Sequence, residues 1–120
     1  MHVHYAIVFV GDMRRSVAFY RDTIGLPLRF EWPHWTEFAT DGATLVLHLA
    51  ESPPPTSADG EPRAGSCRPG LHVANLAEFH QRMIERKVHC LQEPKDVFGS
   101  RVAQYADPDG LTISVGEPRA

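Results

Sequence analysis

A chain of 120 residues is long enough for a compact fold with a sizeable core, and 42% hydrophobic against 22% charged residues excludes a disordered or fibrous chain. A formal net charge of -3, with no Lys/Arg run and no basic stripe, excludes a nucleic-acid partner. Two cysteines without CxxC spacing, Cys67 and Cys90, exclude a disulfide framework or structural zinc site and are expected as reduced, packed thiols. In chain order, His2 to Val10 is rich in β-branched and aromatic residues on both alternating faces, as in a strand covered on both sides. Its apolar part, Tyr5 to Val10, is too short to cross a bilayer and lacks the flanks of a signal peptide, so no membrane partner and a cytoplasmic location are expected.

Asp12 reads as a helix N-cap. Met13, Val17, Tyr20 and Ile24 follow at offsets of four, three and four, one apolar stripe on a helix that Gly25 closes. Strand-like runs follow at Leu26 to Glu31, Trp35 to Thr40 and Ala43 to Ala50, divided by a Trp-Pro-His turn and by Asp41-Gly42. Residues 52–66, dense in Pro and Gly and without periodicity, read as a connector. Beyond it the order repeats. A strand at Arg68 to Val73 and Asn75 as N-cap precede a helix with Leu76, Phe79, Met83 and Ile84 inward. Strands near Val88 to Gln92, Ser100 to Tyr105 and Leu111 to Val115 follow, the last after an Asp107-Pro108-Asp109-Gly110 turn. The expectation is a single α+β domain over 1–120, made of two βαβββ modules at about 1–51 and about 67–118, each too small to bury its sheet alone.

Three segments carry a resemblance: Val10-Gly11-Asp12-Met13 running through Ser16-Val17-Ala18-Phe19-Tyr20-Arg21-Asp22 to Ile24-Gly25-Leu26, then Phe98-Gly99-Ser100-Arg101, then Ala106-Asp107-Pro108-Asp109-Gly110. In this order, inside a duplicated pattern, they resemble the vicinal oxygen chelate superfamily. That group includes glyoxalases, extradiol dioxygenases and bleomycin-binding resistance proteins. The resemblance implies two half-barrels around a cavity, paired in a homodimer, with the cavity commonly shared between the first half of one chain and the second half of the other.

In metal-using members four inward strand positions hold a divalent ion that chelates adjacent substrate oxygens and stabilises an oxyanion. Carried over, the first-strand position falls on Tyr5 and the fourth-strand position on His48, while the second module offers Arg68 and Ser114. Only His48 is an ordinary ligand, since Arg stays protonated and neutral Ser is a poor donor. A bulge swinging His4 inward, with His72 on the strand face of Arg68, would assemble an alternative site from His4, His48 and His72. His34, His80 and His89 are read as solvated.

Without a metal, Tyr5, His48, Arg68, His72 and Ser114 make a polar lining, and Trp32 and Trp35 mark the pocket rim. Phe9, Phe30, Phe38 and Phe98 are aromatic candidates for lining, with core packing the competing reading for Phe9 and Phe38. The function expected is a small-molecule binder of the glyoxalase/bleomycin-resistance type, sequestering an aromatic or conjugated compound such as an antibiotic with no cofactor. The alternative is a metal-dependent lyase, isomerase or dioxygenase with a divalent transition metal at a rearranged site around His48. A third reading has metal-free acid/base catalysis by His48 and Arg68; a fourth has a cavity filled by the protein's own side chains.

Overall fold

The computed structural model describes residues 1–52 and 64–118, so most of the connector expected at 52–66 lies outside the described residues. The chain divides into two compact units between residues 59 and 60. Each is an α+β unit built on one four-stranded mixed sheet, and neither sheet closes into a barrel. No helix among the described residues is long and apolar enough to cross a membrane.

In the first unit, strand β1 (Tyr5–Val10) leads into helix α1 (Met13–Ala18), which continues as π-helix over Phe19–Ile24. Asp12 caps it as expected, its Oδ1 accepting from the Arg15 amide at 3.0 Å. Gly25 ends it at φ 100, which lets its own amide and that of Leu26 both return to the Tyr20 carbonyl. Strands β2 (Leu28–Trp32), β3 (Trp35–Phe38) and β4 (Thr44–Leu49) complete a sheet in the order β1-β4-β3-β2. Parallel pairing of β1 with β4 follows from the helical crossover between the first strand and the rest. The core lies on the helix side, where Val10, Phe38 and Leu47 pack with Val17 and Tyr20, all 2% exposed or less. Only one face of β1 is covered: Val8 and Val10 are buried, while Tyr5, Ile7 and Phe9 are exposed.

The second unit repeats the plan with β5 (Gly70–His72), α2 (Leu76–Glu85), β6 (Cys90–Val97), β7 (Ser100–Ala106) and β8 (Thr112–Gly116), in the order β5-β8-β7-β6. Asn75 caps α2 through the Glu78 amide at 3.1 Å, and the Glu117 carboxylate accepts from the Leu76 amide at 2.9 Å, tying the end of β8 to the helix start. Leu76, Phe79 and Met83 are buried, but Ile84 is 48% exposed and not inward as expected. Met83 takes the inward place on that turn, leaving Ile84 about 100° round the helix. Asp107 is buried because it builds its own turn, its Oδ1 accepting from the amides of Asp109 and Leu111 at 2.9 and 2.8 Å.

Two expectations for titratable groups need correcting. Cys67 is exposed rather than packed, and Cys90 is partly buried; both are free thiols. His80, expected in solvent, is half-buried, with Nδ1 2.8 Å from the Tyr105 hydroxyl. Tyr105 is fully buried and stands opposite Cys90 across β6 and β7. Burial pushes the pKa of both upward, so each stays protonated in the fold to higher pH than in the unfolded chain. Their contribution is therefore intact below the unfolded values and lost as pH rises. Urea unfolding should show stability falling above about pH 9–10, and Tyr105→Phe should flatten much of that fall; an unchanged slope would contradict this assignment.

Phe98 and Gly99 form the two-residue turn between β6 and β7, both at positive φ, 51 and 83. A turn of this hand favours Asn at its first position, whereas Phe carries a strained backbone there. Replacing Phe98, 93% exposed, by Asn should raise unfolding stability by about 1 kcal/mol. A lowered urea midpoint would mean that the ring makes a contact worth more than the strain.

Candidate functional site

Strand alternation and register place the candidate residues of the first unit on the sheet face opposite the helix. Three rows cross it. Tyr5 stands beside Thr44; Ile7, Val46, Glu37 and Phe30 form the middle row; Phe9, His48, Trp35 and Trp32 form the third. A bulge between Leu28 and Phe30 gives β2 its extra residue, Arg29, whose Nη1 donates to Thr44 Oγ1 at 2.8 Å.

Trp35 organises this face. Its ring meets Tyr5 edge-on at 5.5 Å and His48 at 5.9 Å between centroids, although those two residues stand in the outer rows. An indole reaching both must lie across the middle row, which accounts for the complete burial of Val46. Its Nε1 donates to Glu37 Oε2 at 2.8 Å. Of the two tryptophans expected at a rim, Trp32 is 54% exposed on the edge strand, while Trp35 is half-buried on an inner strand. Phe9, for which core packing competed, is 64% exposed and lies 5.1 Å from His48, whereas Phe38 is fully buried in the core.

His48 Nδ1 lies 2.9 Å from the Leu49 carbonyl. A carbonyl only accepts, so Nδ1 carries a proton and donates to it.

The registers of the two repeats relate the positions singled out by the resemblance. Ser114 stands opposite Gly70, two residues beyond Arg68. The corresponding pair in the first unit is Ile7 and Val46, and both Val46 and Ser114 follow a turn glycine by four residues, Gly42 and Gly110. Val46 is thus the counterpart of Ser114, while His48, the expected fourth-strand position, lies two residues further, opposite Phe9. Neither Tyr5 and Val46 in the first unit nor Arg68 and Ser114 in the second supply an imidazole or a carboxylate, the ordinary donors for a divalent ion.

The alternative built on His4, His48 and His72 meets a geometric obstacle within the first unit. The β1–β4 register runs unbroken from Tyr5 to Val10, with no bulge to turn His4. His4 lies five residues before Phe9, the partner of His48, roughly 16 Å along the strand. Two imidazoles that far apart do not share one ion. Among the described residues no group of three or more His, Cys, Asp or Glu side chains is arranged to hold a metal.

In the second unit, Ser114 shares its sheet face with Gly70, His72, Val102, Gln104 and Gly116, a surface of mostly small and polar residues. Ser114 is half-buried, and Arg68 and His72 are exposed; Arg68 precedes a strand shorter than expected. Glu37, Val46 and Ile7 were missed as site residues. The signal was present in the alternation, since Glu37 and Trp35 are two apart on one strand.

A family model described as Glyoxalase/Bleomycin resistance protein/Dioxygenase superfamily matches residues 2–115. Among solved structures, the chain is similar to TnmS3, an antibiotic binding protein from Streptomyces sp. CB03234, at 29% identity and a TM-score of 0.74, covering 98% of this chain and 96% of that one. It is similar at 22% identity and a TM-score of 0.85 to a glyoxalase/dioxygenase from Nostoc punctiforme, covering 98% and 91%. Likeness to TioX from Micromonospora sp. ML1 is at 15% identity, with a TM-score of 0.77 and 98% of each chain covered. These last two speak for the fold alone. No curated protein sequence matches the chain.

Proposed function

Because the chain belongs to the Glyoxalase/Bleomycin resistance protein/Dioxygenase superfamily, we propose that it is a binder, not a catalyst: a homodimer that sequesters a flat aromatic or conjugated compound, such as an antibiotic, without a metal. The observation that carries this reading is the aromatic face of the first unit. Tyr5, Phe9, Phe30 and Trp32 are each more than a third exposed around the central Trp35. Apolar side chains grouped on one sheet face favour a flat apolar ligand, and stacking on Trp and Tyr adds about 0.5–1.5 kcal/mol per ring pair beyond area burial. Likeness to an antibiotic binding protein at 29% identity supports the same class of ligand. The donor set at the ligand positions, with Val46 and Ser114 where metal enzymes need charge, speaks against the metal-dependent alternative.

The test uses untagged protein and two three-ring probes, 9-aminoacridine and anthracene-9-carboxylate. The reading expects quenching of tryptophan fluorescence by at least one probe, its recovery unchanged, affinity indifferent to chelator, and sedimentation as a dimer. Affinity that requires Ni, Zn, Mn or Fe, or conversion of a bound compound, would sink it. His48→Ala separates the catalytic readings, since a binder changes affinity only a few-fold while a reaction with His48 as base stops altogether.

A further inference from the structure

We infer that Glu37 selects the charge of the ligand, so that the compound held on the aromatic face of the first unit carries a positively charged nitrogen docked against the Glu37 carboxylate. This rests on the binding reading above and adds to it the chemical class of the ligand.

Glu37 occupies an unusual place. Its neighbours across the sheet are Val46 on one side and Phe30 on the other, so a charge sits in the middle row of an otherwise apolar surface. It is half-buried on β3, and Glu is a poor strand former, so neither exposure nor backbone preference accounts for it there. The indole Nε1 of Trp35 fixes one carboxylate oxygen at 2.8 Å. That bond orients the group without cancelling its charge, because the donor is neutral. Among the described residues no cation lies within ion-pair distance of Glu37. Arg29, the basic residue of the adjacent strand, is engaged with Thr44 in the outer row.

An ionised carboxylate only accepts hydrogen bonds, so the ligand group that meets it must donate. A protonated amine meets both requirements of the surroundings. It neutralises the carboxylate, and it lies favourably over the electron-rich faces of Trp and Tyr rings, here those of Trp35 and Tyr5 in contact with each other. An anionic aromatic would face the carboxylate and the same ring faces unfavourably. Stacking thus supplies affinity for any flat ring, while Glu37 rejects those of the wrong sign.

The experiment compares 9-aminoacridine, a cation at neutral pH, with anthracene-9-carboxylate, an anion of the same ring size, by calorimetry and tryptophan quenching. Wild-type protein should prefer the cation by about ten-fold or more, the scale of one hydrogen bond to a charged group. Glu37→Gln, which keeps an oxygen for the Trp35 indole, should abolish most of that preference by weakening the cation, and Glu37→Lys should reverse it. Near-UV circular dichroism of both variants checks that the aromatic face is intact. Equal binding of both probes to wild type, or a preference untouched by Glu37→Gln, overturns the role of Glu37 and leaves the binding reading standing. Failure of both probes to bind overturns both.

Discussion

Trp35→Ala should weaken binding of 9-aminoacridine by at least about 30-fold, the loss typical of a central aromatic anchor. One side chain performs three tasks on this face: its ring meets Tyr5 and His48, and its Nε1 holds the Glu37 carboxylate. Removing it uncovers Val46, frees Glu37 and leaves Tyr5 without its edge-on partner. Trp32 supplies a useful contrast, since it lies on the edge strand with its nearest ring contact to His34 at 5.1 Å. Trp32→Ala should cost less than about 5-fold, as peripheral contacts usually do. Titration of both variants by calorimetry decides the matter. Equal losses, or a Trp35→Ala variant that binds like wild type, would show that the central row is not where the ligand sits.

Phe38→Ala should destabilise the protein by about 3–5 kcal/mol, the usual cost of emptying a buried aromatic site. That is a large share of the 5–15 kcal/mol that holds a typical domain folded. Phe38 is fully buried in the helix-side core, its ring 6.2 Å from that of the equally buried Tyr20. Trp35, three residues earlier on the same strand, faces the other way, so Trp35→Ala should cost less than half as much stability while costing far more affinity. Urea unfolding of the two variants therefore checks the alternation along β3 directly. A reversed order of stabilities would mean that the strand presents its faces the other way round.

Much of the architecture was legible because local chemistry and fold agree. Asp12 and Asn75 cap helices where the apolar stripes begin, Gly25 ends one at positive φ, and Asp107 closes its turn with its own carboxylate. The duplicated βαβββ order was likewise readable, since each of these signals acts within a few residues. Strand ends were less so. Tyr5 to Val10 was the strand, not His2 to Val10, and the run expected from Arg68 paired only over Gly70–His72. Pairing depends on a neighbour, which local composition does not specify.

The sequence by itself determined the residue types available to the site: the imidazoles of His48 and His72, Ser114 at the position expected to carry a carboxylate after Asp107-Pro108-Asp109-Gly110, and a cluster of aromatic side chains. It also placed Trp32, Trp35 and His48 among the candidates. Only the tertiary structure decided which of them work together. The parallel register of β1 with β4 sets Val46 rather than His48 opposite the second residue after Tyr5, and it takes His4 out of reach of His48. The antiparallel pairing of β3 brings Glu37 beside Val46 and Trp35 beside His48, from where the indole reaches across the middle row to Tyr5. A shift of register by two residues leaves the pattern of apolar and polar faces unchanged, because side chains alternate with a period of two. Periodicity therefore reveals which residues share a face, and only the paired strand reveals which of them are neighbours.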